Sequence, residues 1–500
     1  MCPFVSLLRV GPPWCSYFDP DNYISTSALL WSGDPFLQEQ VRIVVERSGA
    51  FLTEDGQLPH HFNGVEPVYQ ALSGEIQTGP NVFWILTCLN YAKSSGNFAW
   101  LRAYMPTLRL ASNFLFDLID DDVGMANVPG SLMIDVFLRS NFTADTNAML
   151  VGFLQEFSAA ERFVQNSTGA EKLEAIADSI AAAMNEKLWC AESGGLCDSS
   201  LDAKEKKPPR STAPAAAGDG DHFFTQWDGP ASPGSSRDFM DYDANLIACA
   251  HGIPSDLPDG ADDGGARARR ILARIDGGQC RSSQTFVSER YYGPQDTTGG
   301  NVGDSWCAMG RIAWFDALSR RRYGDLEGFN SLVLEPLQRL LLGTTWMHER
   351  IECGGIEQLN RTAMYFEYPS TVAMLLRTVK YGVQIGYGND AALGTPSAEI
   401  VVAPFGPTVF SFHVNQVHVD FAPNAVSLDV YRMADSATSQ CSVVFKGLLP
   451  STTFSVVTGG QVTFNSSATT TAEGVLTVAV PLGGLDAGRV QVTATAPASS

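Results

Sequence analysis

Apolar residues recur at helical spacing along most of the chain, from about residue 22 to residue 384. One apolar stripe runs from Leu150 to Phe157 and a second from Leu173 to Met184, with the short polar sequence NSTGA between them. Stripes at this spacing are typical of amphipathic helices that bury one face. The two stripes therefore predict a helical hairpin.

The same paired pattern recurs in four further places. The predicted pairs are 22–31 with 36–50, 80–95 with 99–120, 240–251 with 262–275, and 303–322 with 326–342. A last helix, predicted over 369–384, has no partner. Eleven helices are one short of six hairpins, so we expect a partner helix to precede residue 1.

After about residue 390 the apolar period changes to two, in segments such as AVSLDVYRM, CSVVFKGLL and GVLTVAVPL. Alternation of this kind, with turn residues between the segments, predicts a small antiparallel β-sandwich. A scaffold packed on the helical domain is favoured for it over the alternative, a carbohydrate-binding domain. We place the helical domain at 1–388 and the sandwich at 389–500. The segment 202–221 has the composition of a flexible insertion.

The charge balance excludes one class of partner. The chain carries 33 Lys and Arg against 54 Asp and Glu, a formal net charge of −21. Nucleic-acid binding requires clustered basic residues, so this balance argues against it, whereas an uncharged, hydroxyl-rich ligand is not repelled. No stretch of 18 consecutive apolar residues occurs, which argues against a membrane span.

Signals of cellular location are weak. The first 15 residues lack the basic region and unbroken apolar run of a signal peptide. Four N-glycosylation sequons occur, at Asn141, Asn166, Asn360 and Asn465. Cys190 and Cys197 bracket a Gly-rich loop and would suit a disulfide in an oxidising compartment. A secretory or extracellular protein is favoured, with an N-terminal portion missing from the chain.

Three charged residues stand among apolar neighbours in PGSLMIDVFLRSNFTADTNAML, residues 129–150. After the Pro-Gly break, Asp135 and Arg139 fall on the connection that enters the next helix, and Asp145 is an N-cap candidate. An Asp–Arg pair can simply hold a loop in place. Apolar neighbours would also desolvate the Asp135 carboxyl and raise its pKa, which suits a general acid.

GSLMIDVFLR (130–139) and ADTNAML (144–150) resemble the D-x-x-x-R segment and D-x-N helix start of the six-hairpin glycosidases related to trehalases, processing α-glucosidase I and mannosylglycerate hydrolase. In that superfamily the Asp is the catalytic acid and the Arg contacts substrate, which implies these roles for Asp135 and Arg139. The usual Trp or Gly beside the acid is replaced here by Met133 and Ile134. The resemblance therefore leaves the sugar open.

Further segments carry the same resemblance, in the same order along the chain. EDGQLPHHF (54–62) and EIQTGPNVFW (75–84) are similar to the loops that line the sugar pocket, and GDSWCAMGRIAWFDALSRRRYGD (303–325) is similar to a later helix. The residues expected to contact substrate, beside Arg139, are Trp14, Phe62, Gln77, Trp84, Trp306 and Trp346. Aromatic rings stack on sugar faces, although any one ring is more often part of the core.

Hydrolysis with inversion needs a second carboxylate, about 6.5–9.5 Å from the acid, that activates water. The resemblance implies a Glu in the loop before the last helix, and the loop at 343–370 contains Glu349, Glu352, Glu357 and Glu367. Glu349, in TTWMHERIE, has the best spacing and also resembles the segment that carries the base in α-L-rhamnosidases. Glu367, in YFEYPS, stands where a helix-capping role explains it equally well. We rank Glu349 first and Glu367 second.

Other polar clusters have simpler explanations. Asp238, Asp241 and Asp243 precede a predicted helix, where caps and Asx turns account for most such residues, with a sugar contact or bound cation as the alternative. His60 and His61 lack a metal-ligand pattern and suit hydrogen bonding within a loop. We expect neither a metal nor a cofactor.

Together these features predict a mainly α fold, an (α/α)6 toroid barrel of helical hairpins with a C-terminal β-sandwich. The predicted function is an inverting glycoside hydrolase that cleaves an α-linked O-glycosidic bond, with a carbohydrate as the binding partner. An α-L-rhamnosidase is the second hypothesis, although that family's acidic D-x-x-x-E-R motif is not found near the N-terminus. A carbohydrate-binding protein that has lost catalysis is the third.

Overall fold

The computed structural model describes residues 19–63, 65–71, 74–133, 139–190, 222–231, 236–256, 264–277, 288–289, 307–308, 310–343, 351–352, 367–390, 395–406, 409–414, 417–430, 440–459, 464–481 and 489–497. Within these ranges the chain forms eleven helices, followed by two larger sheets. The mainly helical fold matches the prediction. No helix among the described residues is both long enough and apolar enough to cross a membrane.

The helices follow one another as hairpins at the predicted places. The first eight are α1 Asp19–Trp31, α2 Pro35–Gly49, α3 Gly79–Ser95, α4 Phe98–Phe116, α5 Ala144–Phe163, α6 Ser167–Lys187, α7 Tyr242–His251 and α8 Ala266–Asp276. The next are α9 Gly310–Arg322, and α10, which runs through Leu326–Gly328, a π-helical turn Phe329–Leu334, and Glu335–Gly343. The last, α11, joins Glu367–Met374 to a π-helical turn Leu375–Lys380.

Side-chain caps define where several helices begin. Asp34 accepts hydrogen bonds from the backbone N–H groups of Phe36 (2.8 Å) and Leu37 (3.3 Å) at the start of α2. Asn97 accepts one from Trp100 N (3.1 Å) at the start of α4. These bonds satisfy N–H groups that have no partner within the helix.

The odd-numbered helices form the inner set. Helix α1 contacts α3, α3 contacts α5, α5 contacts α7, α7 contacts α9, α9 contacts α11, and α11 contacts α1. Each even-numbered helix packs outside, against its hairpin partner. Helix α3 is buried on every side over most of its length, which its apolar sequence allows.

Short strands lead into the inner helices. Strands β1 His61–Asn63 and β2 Glu66–Val68 form a hairpin, as do β3 Ile119–Asp120 and β4 Met125–Ala126. Strand β7 His222–Trp227 pairs with β5 Phe142–Thr143, with β6 Trp189–Cys190 and with β8 Ser236–Met240. Strand β10 Cys307–Ala308 pairs with β9 Ser288–Glu289 and β11 Ile351–Glu352. Because β5 and β8 flank β7 and run into α5 and α7, they place the starts of these two helices side by side.

The C-terminal part forms two sheets. The four-stranded sheet has the order β12 Val383–Asp390, β13 Thr395–Val402, β17 Gln440–Phe445, β20 Leu476–Pro481. The six-stranded sheet has the order β14 Phe410–Val414, β15 Val417–Ala422, β16 Ala425–Val430, β21 Val490–Thr495, β18 Thr453–Gly459, β19 Phe464–Thr469. Buried and exposed positions alternate along strands such as β15 and β21, as expected for one-sided burial.

The four-stranded sheet packs against the ends of the inner helices. Tyr387 of β12 donates a hydrogen bond to Leu89 O (3.3 Å), and its ring lies 5.0 Å from that of Phe163. The guanidinium of Arg321 in α9 donates to Val379 O and Ala403 O. One buried apolar cluster includes residues of the helices and of both sheets.

Three features differ from the sequence expectations. The last helix ends at Lys380, and β12 begins at Val383, earlier than the boundary placed at 389. Strands β13 and β17 run parallel, so the four-stranded sheet is mixed, because the chain passes through β14, β15 and β16 of the other sheet before it returns. Asp145 lies in the first turn of α5, and Thr143 occupies the N-cap.

Candidate functional site

The N-termini of the inner helices meet at one end of the molecule, which we call the N-terminal face. Thr78, the N-cap of α3, and Thr146, in the first turn of α5, share a hydrogen bond of 3.2 Å and are both fully buried. Across the ring, Arg311 of α9 bonds to Glu367 of α11 and to Asp21 of α1. Helix N-termini carry partial positive charge, which favours the carboxylates found here.

Arg139 is held at this face against Asp241. Its side chain is 1% exposed, that of Asp241 is 5% exposed, and Nη2 lies 3.7 Å from Asp241 Oδ2. Asp241 is the N-cap of α7 and accepts a hydrogen bond from Asp243 N (3.2 Å). The Arg139 N–H donates to Glu75 Oε2 at 3.4 Å. The capping explanation of Asp241 is thus correct, and the same carboxylate also orients Arg139.

Asp135 falls in 134–138, outside the described residues, but the chain is anchored on both sides of it. Before it, Ser131 Oγ accepts from Gln77 Nε2 (2.6 Å), and Leu132 N donates to Asp145 Oδ2 (3.4 Å). After it, Ser140 N donates to Gln226 Oε1 (3.3 Å). The partners belong to the connections and first turns at the N-terminal face, so both flanks of Asp135 are fixed there.

Gln77 and two histidines form a further part of this face. Gln77 is 2% exposed, and its Oε1 accepts no hydrogen bond. His60 is 1% exposed, and its Nδ1 lies 2.8 Å from Nδ1 of His61. Burial and the neighbouring His61 lower the pKa of His60 to about 3, opposed by a contact with Gln77. His60 is therefore neutral at physiological pH.

Three buried asparagines fix the connections that lead to the face. Asn147 Nδ2 donates to Ala126 O (3.1 Å) while its Oδ1 accepts from Ala126 N (2.7 Å). Asn245 makes the same two bonds to Phe223, at 3.2 and 2.8 Å. Asn81 donates to Gly56 O (2.7 Å) and accepts from Leu58 N (2.9 Å). In each of the helices α3, α5 and α7, one Asn side-chain amide thus binds a backbone N–H and a backbone C=O of a neighbouring segment.

Glu367 is the most enclosed carboxylate of the face. It is 0% exposed and accepts hydrogen bonds from Arg311 N, from Nε (3.1 Å) and from Nη2 (2.8 Å). Arg311 Nη2 also donates to Asp21 Oδ1 at 2.6 Å. Burial raises the pKa of the Glu367 carboxyl, and Arg311 opposes this rise. Both Glu367 oxygens are therefore committed to Arg311.

Two predicted sugar contacts lie in the core. Phe62 is 2% exposed, and its ring meets that of Phe51 edge-on at 5.3 Å. Trp84 is 1% exposed, and its indole donates to Val45 O of α2 (2.9 Å). Each ring is occupied by structural contacts. Like Asp135, four more of the predicted site residues fall outside the described part of the chain: Trp14, Trp306, Trp346 and Glu349.

Sequence reasoning did not single out Asp21, Glu75 or Arg311. Arg311 stands inside the segment 303–325 noted for its resemblance, but nothing in its spacing indicates a carboxylate 56 residues away. Among the described residues, no three His, Cys, Asp or Glu side chains come together as a possible metal site. The face is thus built from carboxylates, amides and buried guanidinium groups.

No protein-family model matches the chain, and no curated protein matches it. Its fold resembles solved (α/α)6 glycosidases. A GH78 family rhamnosidase of Bacillus sp. GL1 gives a TM-score of 0.52 at 16% identity, covering 83% of this chain and 36% of that one. An α-L-rhamnosidase of Dictyoglomus thermophilum gives 0.53 at 12% identity, covering 98% and 48%.

A bacterial glucoamylase in complex with acarbose gives a TM-score of 0.50 at 11% identity, covering 73% of this chain and 48% of that one. The chain thus spans between about a third and a half of the length of these three structures. At such identities the similarity establishes the fold. The predicted resemblance to six-hairpin glycosidases is confirmed at that level.

Proposed function

We propose that the protein is an inverting glycoside hydrolase whose active site lies at the N-terminal face. The observation that carries this proposal is the anchoring of both flanks of Asp135 there, next to the buried Arg139–Asp241 pair. We further propose that the ring of six inner helices is the (α/α)6 toroid of the similar glycosidases and that the two C-terminal sheets form its sandwich.

Asp135 acts as the general acid that protonates the leaving glycosidic oxygen. In the sequence it stands two residues after Met133 and four before Arg139, both of which are described. Arg139 donates hydrogen bonds to the sugar, and Gln77 Oε1, which accepts no hydrogen bond, is available to a sugar hydroxyl. Carboxylates at the face, among them Asp241 and Asp243, favour the positive charge that develops on the sugar ring.

Glu349 acts as the base that deprotonates the attacking water. It precedes β11 by two residues, and β11 pairs with β10, which leads into the start of α9 at the N-terminal face. Glu367 suits this role less well, because it is 0% exposed and accepts three hydrogen bonds from Arg311, whose positive charge opposes the uptake of a proton from water.

An α-L-rhamnosidase activity is the second candidate. Two of the similar solved structures, with TM-scores of 0.52 and 0.53, are rhamnosidases, and one of them aligns with 98% of this chain. This candidate uses the same face and the same two carboxylates. It differs in the sugar that occupies the site.

The test is a screen of the purified protein against aryl glycosides, including 4-nitrophenyl α-glucoside and α-L-rhamnoside, and against α-linked disaccharides. Proton NMR then follows which anomer is released first. We expect inversion. Release of the retained anomer would overturn the mechanism, and the absence of any hydrolysis would favour a carbohydrate-binding protein without catalysis.

Variants assign the two roles. Asp135→Asn and Glu349→Gln should each lower the turnover rate by at least about 100-fold, as expected for loss of a general acid or base. The matched controls are Asp121→Asn and Glu171→Gln, which change exposed carboxylates on a turn and on α6. Near wild-type turnover in either active-site variant would remove that residue from the mechanism.

A further inference from the structure

A cavity lies between the inner helices and strands β12 and β13, and we call it the C-terminal cavity. It encloses about 390 Å³ and extends from Tyr23 of α1 and Trp314 of α9 to Arg377 of α11. Glu156 of α5, which lines it, stands ten residues beyond Thr146. Along a helix this is about 15 Å from the N-terminal face. The volume is that of a small-molecule pocket.

Arg377 of α11 lines this cavity, and none of the described residues supplies a counter-ion for it. Its side chain is 2% exposed, and neither Nε nor Nη1 has a hydrogen-bond partner. Its guanidinium lies over the ring of Trp31, 4.6 Å from the centroid. No carboxylate of the described residues forms an ion pair with it. Such a buried charge is costly unless a partner compensates it.

The other ionisable groups of the cavity do not neutralise Arg377. Lys93 and Glu156 pair with each other at 2.8 Å, so their charges cancel. His251 has a pKa lowered to about 4 by burial and is neutral at pH 7. Glu399 of β13 also lines the cavity, but it forms no ion pair with Arg377, and burial raises the pKa of its carboxyl. Burial lowers the pKa of Arg377 itself to about 9, so the guanidinium remains charged at pH 7.

We propose that the C-terminal cavity binds a small organic anion, with a carboxylate or phosphate group on Arg377 and an apolar body against the aromatic wall. That wall includes Tyr23, Trp31 and Trp314. A planar guanidinium is well suited to an oxyanion, and the aromatic rings offer apolar contact area. Arg377 stands ten residues beyond Glu367, about 15 Å along α11 from the N-terminal face, and its proposed role does not depend on the catalytic proposal.

The test is isothermal titration calorimetry of the whole protein at constant ionic strength. Sodium benzoate and phenyl phosphate are the two anionic probes, and benzyl alcohol is the neutral control. We expect at least one anion to bind at least tenfold more tightly than benzyl alcohol, and the better anion identifies the head group. Equal binding of all three, or of none, would overturn the proposal.

Variants place the ligand in the cavity. Arg377→Met should weaken binding of the preferred anion at least tenfold, whereas Arg162→Met, at a half-exposed Arg on α5, should leave it unchanged. If Arg377→Met does not fold, Leu318→Trp fills the cavity from α9 and should abolish binding. Arg139→Met, at the opposite face, should bind the anion as the wild type does. Unchanged binding in whichever cavity variant folds would contradict the assignment.

Discussion

The cluster of Arg311, Glu367 and Asp21 joins the first turns of three inner helices, and its removal should be strongly destabilising. Arg311 donates from its backbone N–H, Nε and Nη2 to Glu367, and from Nη2 to Asp21 at 2.6 Å. Arg311→Met takes away every side-chain donor and leaves Glu367, which is 0% exposed, without a counter-ion.

Removal of one partner of a buried ion pair costs about 3–5 kcal/mol in free energy of unfolding, so Arg311→Met should fall in that range. Glu367→Leu leaves the buried Arg311 donors without this acceptor, but Arg311 keeps its bond to Asp21, so about 1–3 kcal/mol is expected. The double variant Arg311→Met/Glu367→Leu removes both charges together. Its free energy of unfolding should lie within about 2 kcal/mol of the wild-type value. This loss is smaller than the sum of the two single losses, which means that the two residues are energetically coupled.

The assay is urea unfolding at pH 7, followed by circular dichroism and by tryptophan fluorescence. The stability deficit of Arg311→Met should also depend on pH. Burial raises the pKa of Glu367, and loss of Arg311 raises it further, so the carboxyl binds a proton more readily in the folded state. The deficit of Arg311→Met should therefore shrink as the pH falls from 7 towards 5. A double variant as unstable as the sum of the single variants would refute the ion-pair explanation.

Two further predictions concern the loop that leads to the N-terminal face. The pKa of His60 is lowered to about 3, so the unfolded chain binds a proton below pH 6.5 that the folded chain does not, and stability falls as the pH drops. His60→Gln should flatten this fall between pH 6.5 and pH 5 in urea titrations, and an unchanged slope would contradict it. Gly56 has φ +86°, and an added Cβ would lie 2.0 Å from Leu110 O, so Gly56→Ala should cost more than about 2 kcal/mol. A small effect in the same titration would mean that the loop can shift; exposed Gly74→Ala, which has open space but a similar φ, separates backbone strain from the steric contact.

The hairpins could be predicted because helical periodicity is a local property of the sequence. The run from Leu173 to Met184, for example, lies within α6, and the unpaired last helix, predicted over 369–384, overlaps α11 as far as Lys380. The end of α11 was not predictable to the residue. The apolar positions that continue past Lys380 suit a strand as well as a helix, and β12 forms there because β13 is available to pair with it.

Site residues were harder to predict, because burial and partners depend on the fold. Phe62 and Trp84 have the aromatic character of sugar contacts, but their rings complete the core against Phe51 and α2. The partner of Arg139 is Asp241, 102 residues later, and no spacing rule connects them. The sequence did place Arg139 at the entry to α5, where the structure has it.

The position of β12 has a consequence for synthesis on the ribosome. Its contact with α3 and α5 means that the helical ring is covered at one end by residues that leave the ribosome after the last helix. Strand β13 pairs with β12 first, but its other neighbour, β17, begins only at Gln440. Until then the growing chain exposes an unpaired edge on β13, a state in which nascent proteins associate with one another. Chaperone demand should therefore peak between the emergence of Lys380 and that of Phe445.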